Sequence, residues 1–124
     1  MLVGPLKLKL QLFCGDEPAI GPGKAMLLDA IDREGSISAA GRATGMSYRR
    51  TWLLVDSMNR CFRERLVETI AGGGKTRGAR LTETGRAVLA AYRAIDARVA
   101  RAAEGDDLAR LRALLRDQPL PPHD

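Results

Sequence analysis

Two glycine–serine junctions constrain this chain more than any other feature. Gly35-Ser36 and Gly45-Met46-Ser47 separate three apolar-periodic stretches. Each junction puts a residue that tolerates left-handed backbone before a hydroxyl that can cap free helix N–H groups. Lys24 to Glu34 carries Leu27, Leu28 and Ile31 on one stripe and Asp29, Asp32 and Arg33 opposite, the pattern of an amphipathic helix ended at Gly35. Ser36 then caps a short helix from Ile37 to Thr44, which Gly45 breaks. Ser47 caps a third, running to Phe62, with Thr51, Val55, Met58 and Phe62 on one inward face. Arg49, Arg50, Leu53 and Arg60 point elsewhere. Two helices joined by a short glycine-containing turn predict a helix-turn-helix. Trp52, one turn past Tyr48, is either packed against the scaffold, the commoner fate of such a residue, or part of a contact surface.

The flanks add short strands and a long helix. Leu6 to Leu12 (LKLKLQL) alternates strictly, predicting a half-buried strand with leucines on one face and Lys7, Lys9 and Gln11 on the other. Gly15 to Gly23 is rich in breakers and reads as a loop. Leu66–Ile70 and Ala79–Thr82 are β-prone runs around a glycine stretch, which predicts a hairpin. Thr82 caps a helix from Glu83, whose residues Val88, Tyr92, Ile95, Val99 and Ala102 recur at heptad-like spacing. That seam suits a partner helix, with packing inside the monomer as the alternative for its first half. Leu108 to Arg116 forms a last short helix with apolar Leu111, Leu114 and Leu115, and Pro119, Pro121 and Pro122 end the order.

Composition excludes several classes. The 124 residues suit one domain, and apolar residues make up an ordinary 45%. No apolar run approaches the ~18 residues of a membrane span, and the N-terminus lacks the pattern of a signal peptide, so a cytoplasmic protein is expected. Cys14 and Cys61 lack metal-ligand spacing and read as free thiols. The single histidine, His123, lies in the tail, which removes most triad and zinc constellations. Asp29, Asp32 and Glu34 read as a solvated helix face, and no base is placed to activate Ser36, Ser38 or Ser47. No enzyme activity, cofactor or metal is expected.

The net charge of +5 is concentrated. Residues 47–80 hold Arg49, Arg50, Arg60, Arg63, Arg65, Lys75, Arg77 and Arg80 against Asp56, Glu64 and Glu68, whereas either side of this window is balanced. Such clustering is the electrostatic footprint of a polyanion binder, or else a solvated basic face. The segment AGGGKTRGAR at 71–80 offers a second candidate, because a glycine run before Lys-Thr ends a nucleotide phosphate loop. That motif needs glycine where Thr69 stands, and a helix directly after it, where a strand is expected. Double-stranded DNA accounts for more residues. The third helix would lead with Ser47, Tyr48, Arg49 and Arg50; arginine can bind guanine O6 and N7 with two hydrogen bonds, and the Ser47 and Tyr48 hydroxyls could equally hold phosphates. Ser36 and Ser38 lie where hydroxyls and backbone amides can meet a phosphate, as can Lys75, Arg77 and Arg80 in the glycine-rich hairpin.

These residues also carry a resemblance. GSISAAGRATGMSYRRTWLLVDSMN followed by LVETIAGGGKTRGARLTETG resembles the N-terminal DNA-binding domain of the molybdate-responsive transcription regulators, the ModE family. A similar but less closely matched layout occurs in LysR-type regulators. The match covers roughly residues 5–104. It implies a mainly α winged helix-turn-helix with a small β-wing, a leading N-terminal strand and a long C-terminal dimerisation helix. Residues 1–82 would bind DNA, 83–116 would dimerise through Val88, Tyr92, Ile95 and Val99, and 117–124 would be a disordered tail. Ser47, Tyr48, Arg49 and Arg50 would lead the recognition helix, with Lys75 and Arg77 in the wing. Full-length members carry C-terminal molybdate-binding modules, and no strand-rich segment follows the long helix here. Molybdate sensing therefore does not carry over, and no small-molecule ligand is expected. The chain reads as a one-domain member or a truncated one, with Met1 and the proline-rich tail favouring the former. Two rivals remain open, a winged-helix protein-interaction module and an oxyanion sensor.

Overall fold

The computed structural model describes residues 1–71 and 78–123. Its elements run β1 (Leu2–Val3), β2 (Leu6–Lys7), β3 (Leu12–Cys14), β4 (Glu17–Ile20), α1 (Pro22–Glu34), α2 (Ile37–Ala43), α3 (Tyr48–Cys61), β5 (Val67–Ile70), β6 (Gly78–Leu81), α4 (Glu83–Ala103) and α5 (Asp106–Leu114). The strands form three separate antiparallel pairs: β1 with β2, β3 with β4, and β5 with β6.

The caps appear where the sequence places them. Gly35 ends α1 in left-handed backbone at φ 77°, and Ser36 accepts the Ala39 N–H at the start of α2. Ser47 accepts from Arg50 N and Thr82 from Gly85 N, opening α3 and α4. Helix α1 starts at Pro22, two residues before Lys24, because proline is preorganised for the first helical turn and its missing N–H would be unpaired there anyway.

The N-terminal region corrects two expectations. Leu6–Leu12 is not one strand. Gly4, at φ 59°, turns the chain so that β1 pairs with β2, and only Leu12 enters β3. Between them, Leu8 and Leu10 are half-buried and Lys9 and Gln11 exposed, so the alternation survives without a ladder; Leu12 is exposed. The breaker-rich stretch is not all loop either. Gly15 supplies positive φ for a two-residue turn, Cys14 pairs with Glu17, and β4 delivers buried Ala19 and Ile20 to the core.

Helix α1 is the centre of the core. Its Leu27, Leu28 and Ile31 are fully buried among Ile20, Ile37, Val55, Met58, Leu66, Leu81 and Leu89. Backbone contacts at glycine fix the neighbours. A Cβ on Gly41 would collide with Thr51 Oγ1, and one on Gly85 with the Leu66 carbonyl, so α2 meets α3, and α4 meets the start of β5, at distances only glycine allows. The hairpin is tied at both ends: Ala79 N–H donates to Gly35 O at 2.8 Å and Thr82 N–H to Leu66 O at 2.9 Å.

Helix α4 also departs from its expected seam. Tyr92 is buried in the monomer and Leu89, outside the heptad series, is buried beside it; Val88 packs partly on the core. Ile95 is exposed and Val99 half-buried. The first half of the helix turns inward because Gly85 must sit on Leu66, which fixes its rotation. Helix α5 starts two residues before Leu108 and buries that leucine, leaving Leu111, Leu114 and Leu115 exposed.

Candidate nucleic-acid interface

Helix α3 is buried on one side and solvated on the other. Thr51, Val55, Ser57 and Met58 are buried, and the Thr51 hydroxyl donates to Ser47 O at 2.8 Å, keeping its polar atom satisfied at the α2 contact. On the other side Ser47, Tyr48, Arg49 and Arg50 are all exposed. The Ser47 hydroxyl oxygen receives the Arg50 N–H at 3.1 Å, which fixes where the first turn begins.

The exposed side divides into two depressions. Tyr48, Arg49, Trp52, Leu53 and Asp56 line one of about 580 Å³. Within it the rings of Tyr48 and Trp52 meet edge to face, with centroids 6.2 Å apart and planes at 74°. Trp52 is thus at the surface rather than in the core, where such a residue is more expected. Asp56 closes the far end and is held by Arg60 at 2.9 Å. Arg50 lines the second depression, about 540 Å³, together with Lys9, Lys24, Glu17, Met46, Leu54 and Ser57. Lys24 Nζ donates to Pro18 O and to Ser57 Oγ. That Lys9 and Lys24 share a hollow with Arg50 is not legible in the sequence, because the alignment depends on how the N-terminal segment crosses α3.

The other candidates are less alike than their sequence suggests. Ser36 is half-buried with its oxygen engaged as the α2 cap, whereas Ser38 is exposed. Arg80 faces Glu68 across the hairpin and donates to its carboxylate at 2.6 Å, so its charge is partly spent inside the protein. Lys75 and Arg77 lie outside the described residues. Arg49 and Arg50 make no ion pair among the described residues.

Glu17 anchors the far end of α3. Its carboxylate accepts from Ser57 Oγ at 2.5 Å and from Arg60 Nη2 at 3.1 Å, with Cys61 Sγ 3.6 Å away. The Ser57 hydrogen bond, helped by Arg60 against a cost from burial, lowers the Glu17 carboxyl below its ordinary value. Burial first, then the charge of Glu17, raises the Cys61 thiol. Cys14 and Cys61 are free thiols. Among the described residues no cluster of histidine, cysteine or carboxylate side chains is arranged to hold a metal, and no helix is long and apolar enough to cross a membrane.

Comparison with known proteins adds a relationship to this geometry. No family model matches the chain. It is 41% identical over 78 residues to a molybdenum transport protein ModE of Azotobacter vinelandii, covering 63% of this chain and 29% of that protein. It is 39% identical over 88 residues to the molybdenum-pterin-binding protein MopA of Rhodobacter capsulatus, covering 71% and 33%. It is 34% identical over 87 residues to the DNA-binding transcriptional dual regulator ModE of Escherichia coli K12, covering 70% and 31%. The chain is related to ModE and Mop proteins. It spans about a third of the length of these curated relatives, none of which is named as an enzyme.

Proposed function

We propose that this chain is a sequence-specific DNA-binding transcription regulator of the ModE type, folded as a winged helix-turn-helix and acting as a homodimer. One observation carries the reading. The first turn of α3 is capped by Ser47 and presents Tyr48, Arg49 and Arg50 to solvent, while Thr51, Val55 and Met58 lock the opposite side into the core. A rigid helix with a basic leading turn is the form in which a major groove is read. The β5–β6 hairpin is the wing. Its Arg80, with Lys75 and Arg77, meets backbone phosphates, which fix register without reading sequence. Relatives named as transcription regulators support the same reading.

Dimerisation uses the outer side of α4. Ile95, Leu12 and Phe62 line an apolar hollow of about 270 Å³ with Leu10, Val88 and Tyr92. Exposed Ile95 and half-buried Val99 are the seam residues that still face outward. Two protomers then place α3 in successive major grooves, ~34 Å apart.

A mobility-shift titration against genomic fragments at two salt concentrations tests the DNA reading, with tight, salt-sensitive binding expected; no binding at low salt sinks it. Sedimentation of Ile95→Glu tests the dimer, which should dissociate. The reading assigns no ligand site to this chain. Calorimetry with molybdate and sulfate should show no tight binding, and tight molybdate binding would favour an oxyanion sensor instead.

A further inference from the structure

The DNA reading accounts for Arg49 and Arg50 but leaves the apolar part of the same surface without a role. Tyr48, Trp52 and Leu53 are large side chains exposed by 63%, 36% and 57%, contiguous on α3 and gathered around one depression with Arg49. Single exposed apolar residues need no explanation, but three adjoining ones beside an uncommitted arginine form a patch. The Tyr48 and Trp52 rings meet edge to face, a mutually favourable arrangement of two aromatic side chains. The Tyr48 hydroxyl can still donate to a phosphate, but the Trp52 ring face and the Leu53 side chain have nothing to offer one. In a major groove the apolar group available to them is the C5-methyl of a pyrimidine, carried by thymine and by methylated cytosine.

We propose that Trp52, flanked by Tyr48 and Leu53, is a specificity-determining residue that packs on the 5-methyl group of thymine, next to the base pair bound by Arg49. The inference rests on the DNA reading and deepens it by naming the groups read. The charge pattern sets how far the contact extends. Arg49 attracts the duplex to the first turn, whereas Asp56, two turns along, is paired with Arg60 and leaves no comparable free charge there to hold a phosphate. Residues 48–53 therefore enter the groove and the helix beyond Asp56 leaves it. The site reads a short step in which one or two thymines adjoin a guanine.

The test uses a duplex selected from bound genomic fragments, with each thymine in turn replaced by uracil, which removes only the methyl. Wild-type protein should lose about fourfold in affinity for each methyl that is buried, at one or two positions and no others. Trp52→Ala should bind the parent duplex more weakly and show no further loss with uracil at those positions, and Trp52→Leu should keep part of the sensitivity. A second arm replaces each cytosine by 5-methylcytosine; a gain there with no response to uracil would assign the contact to methylated cytosine and overturn the thymine proposal. Wild-type indifference to uracil at every position overturns it, whatever the variants do, as does full uracil sensitivity in a folded Trp52→Ala. Absence of any DNA binding would instead overturn the underlying reading, and this inference with it.

Discussion

The Tyr92 phenol donates a hydrogen bond to the carbonyl of Leu10, 2.9 Å away and 82 positions earlier in the chain. That contact seals the N-terminal segment against α4 and turns the Tyr92 hydroxyl inward, leaving only the ring at the apolar hollow. Tyr92→Phe should therefore cost about 1 kcal/mol, the net worth of one such bond, in urea unfolding, and leave the oligomeric state unchanged. Burial, then the charge of Asp96, raises the phenol above its ordinary value. The folded state thus holds this proton more tightly than the unfolded one. Its contribution is full below about pH 10 and lost as pH rises through the folded value. The alkaline limb of stability should be flatter in Tyr92→Phe.

Asn59 joins the end of α3 to the hairpin. Its Oδ1 accepts from Leu66 N at 2.9 Å and Val67 N at 3.1 Å, and its Nδ2 donates to Val67 O at 3.2 Å. Leu66 and Val67 are buried. Asn59→Ala leaves two buried donors unpaired and should cost about 2–3 kcal/mol in denaturant titration. Asn59→Asp keeps the acceptor and loses only the donation, so it should recover part of that. Equal losses would show that the side chain acts by size and not by hydrogen bonding.

How much of this was legible beforehand depended on whether the signal was local. Gly35, Ser36, Ser47 and Thr82 declared the helix boundaries because capping is decided within four residues. The hairpin was legible from two β-prone runs around glycine. Strand β4 was not, because proline and two flanking glycines hide a four-residue strand whose pairing depends on one turn at Gly15. For Tyr92 the sequence leaves open a seam or packing inside the monomer, and the monomer buries it, because periodicity identifies an apolar face but not its rotation, which the long-range contact of Gly85 with Leu66 sets. The basic turn at Ser47–Arg50 was legible in full; the separation of Arg49 from Arg50, and the arrival of Lys9 and Lys24, were not, since both depend on tertiary placement.

The glycine contacts give an ordering. A Cβ on Gly85 would meet a backbone carbonyl, which cannot move without breaking the β5–α4 junction, whereas one on Gly41 would meet the Thr51 side chain, which can give way only by loosening its hydrogen bond to Ser47 O. Alanine gains up to ~1 kcal/mol over glycine inside a helix. Overpacking against backbone should exceed that, so Gly85→Ala should lose about 3 kcal/mol and Gly41→Ala about 1–2. Gly23 has open space around its Cβ direction, and Gly23→Ala should be neutral or slightly stabilising. Thermal melts of the three variants check the order; Gly85→Ala as stable as wild type would mean that α4 can shift.

Glu17 gives a dependence at acid pH. Its carboxyl is lowered chiefly by the Ser57 hydroxyl and also by Arg60. The unfolded chain therefore binds this proton more readily than the folded one. Stability from these contacts is present above the ordinary carboxylate range, near pH 4, and is lost as pH falls through the lowered folded value. Glu17→Gln removes the titrating group, so its stability should vary less between about pH 5 and 3. A parallel acid limb in both proteins would show that the contact is broken in solution.

Arg49 and Arg50 are adjacent in sequence yet face different hollows, and their substitutions should differ in kind. Arg49 lies beside Tyr48 and Trp52, where a guanidinium would reach base edges; Arg50 lies in a hollow with Lys9, Lys24 and Glu17, whose net positive charge suits a phosphate contact. On a selected duplex, Arg49→Ala should cost about 1–3 kcal/mol and relax preference at one base pair, with little change on random DNA. Arg50→Ala should weaken selected and random duplexes alike and lower the slope of log affinity against log salt by about one unit. Fluorescence titrations of both variants at three salt concentrations separate the two behaviours. If both lose affinity equally on both duplexes with the same change of slope, neither arginine reads a base, and sequence preference must come from the aromatic pair or from duplex shape.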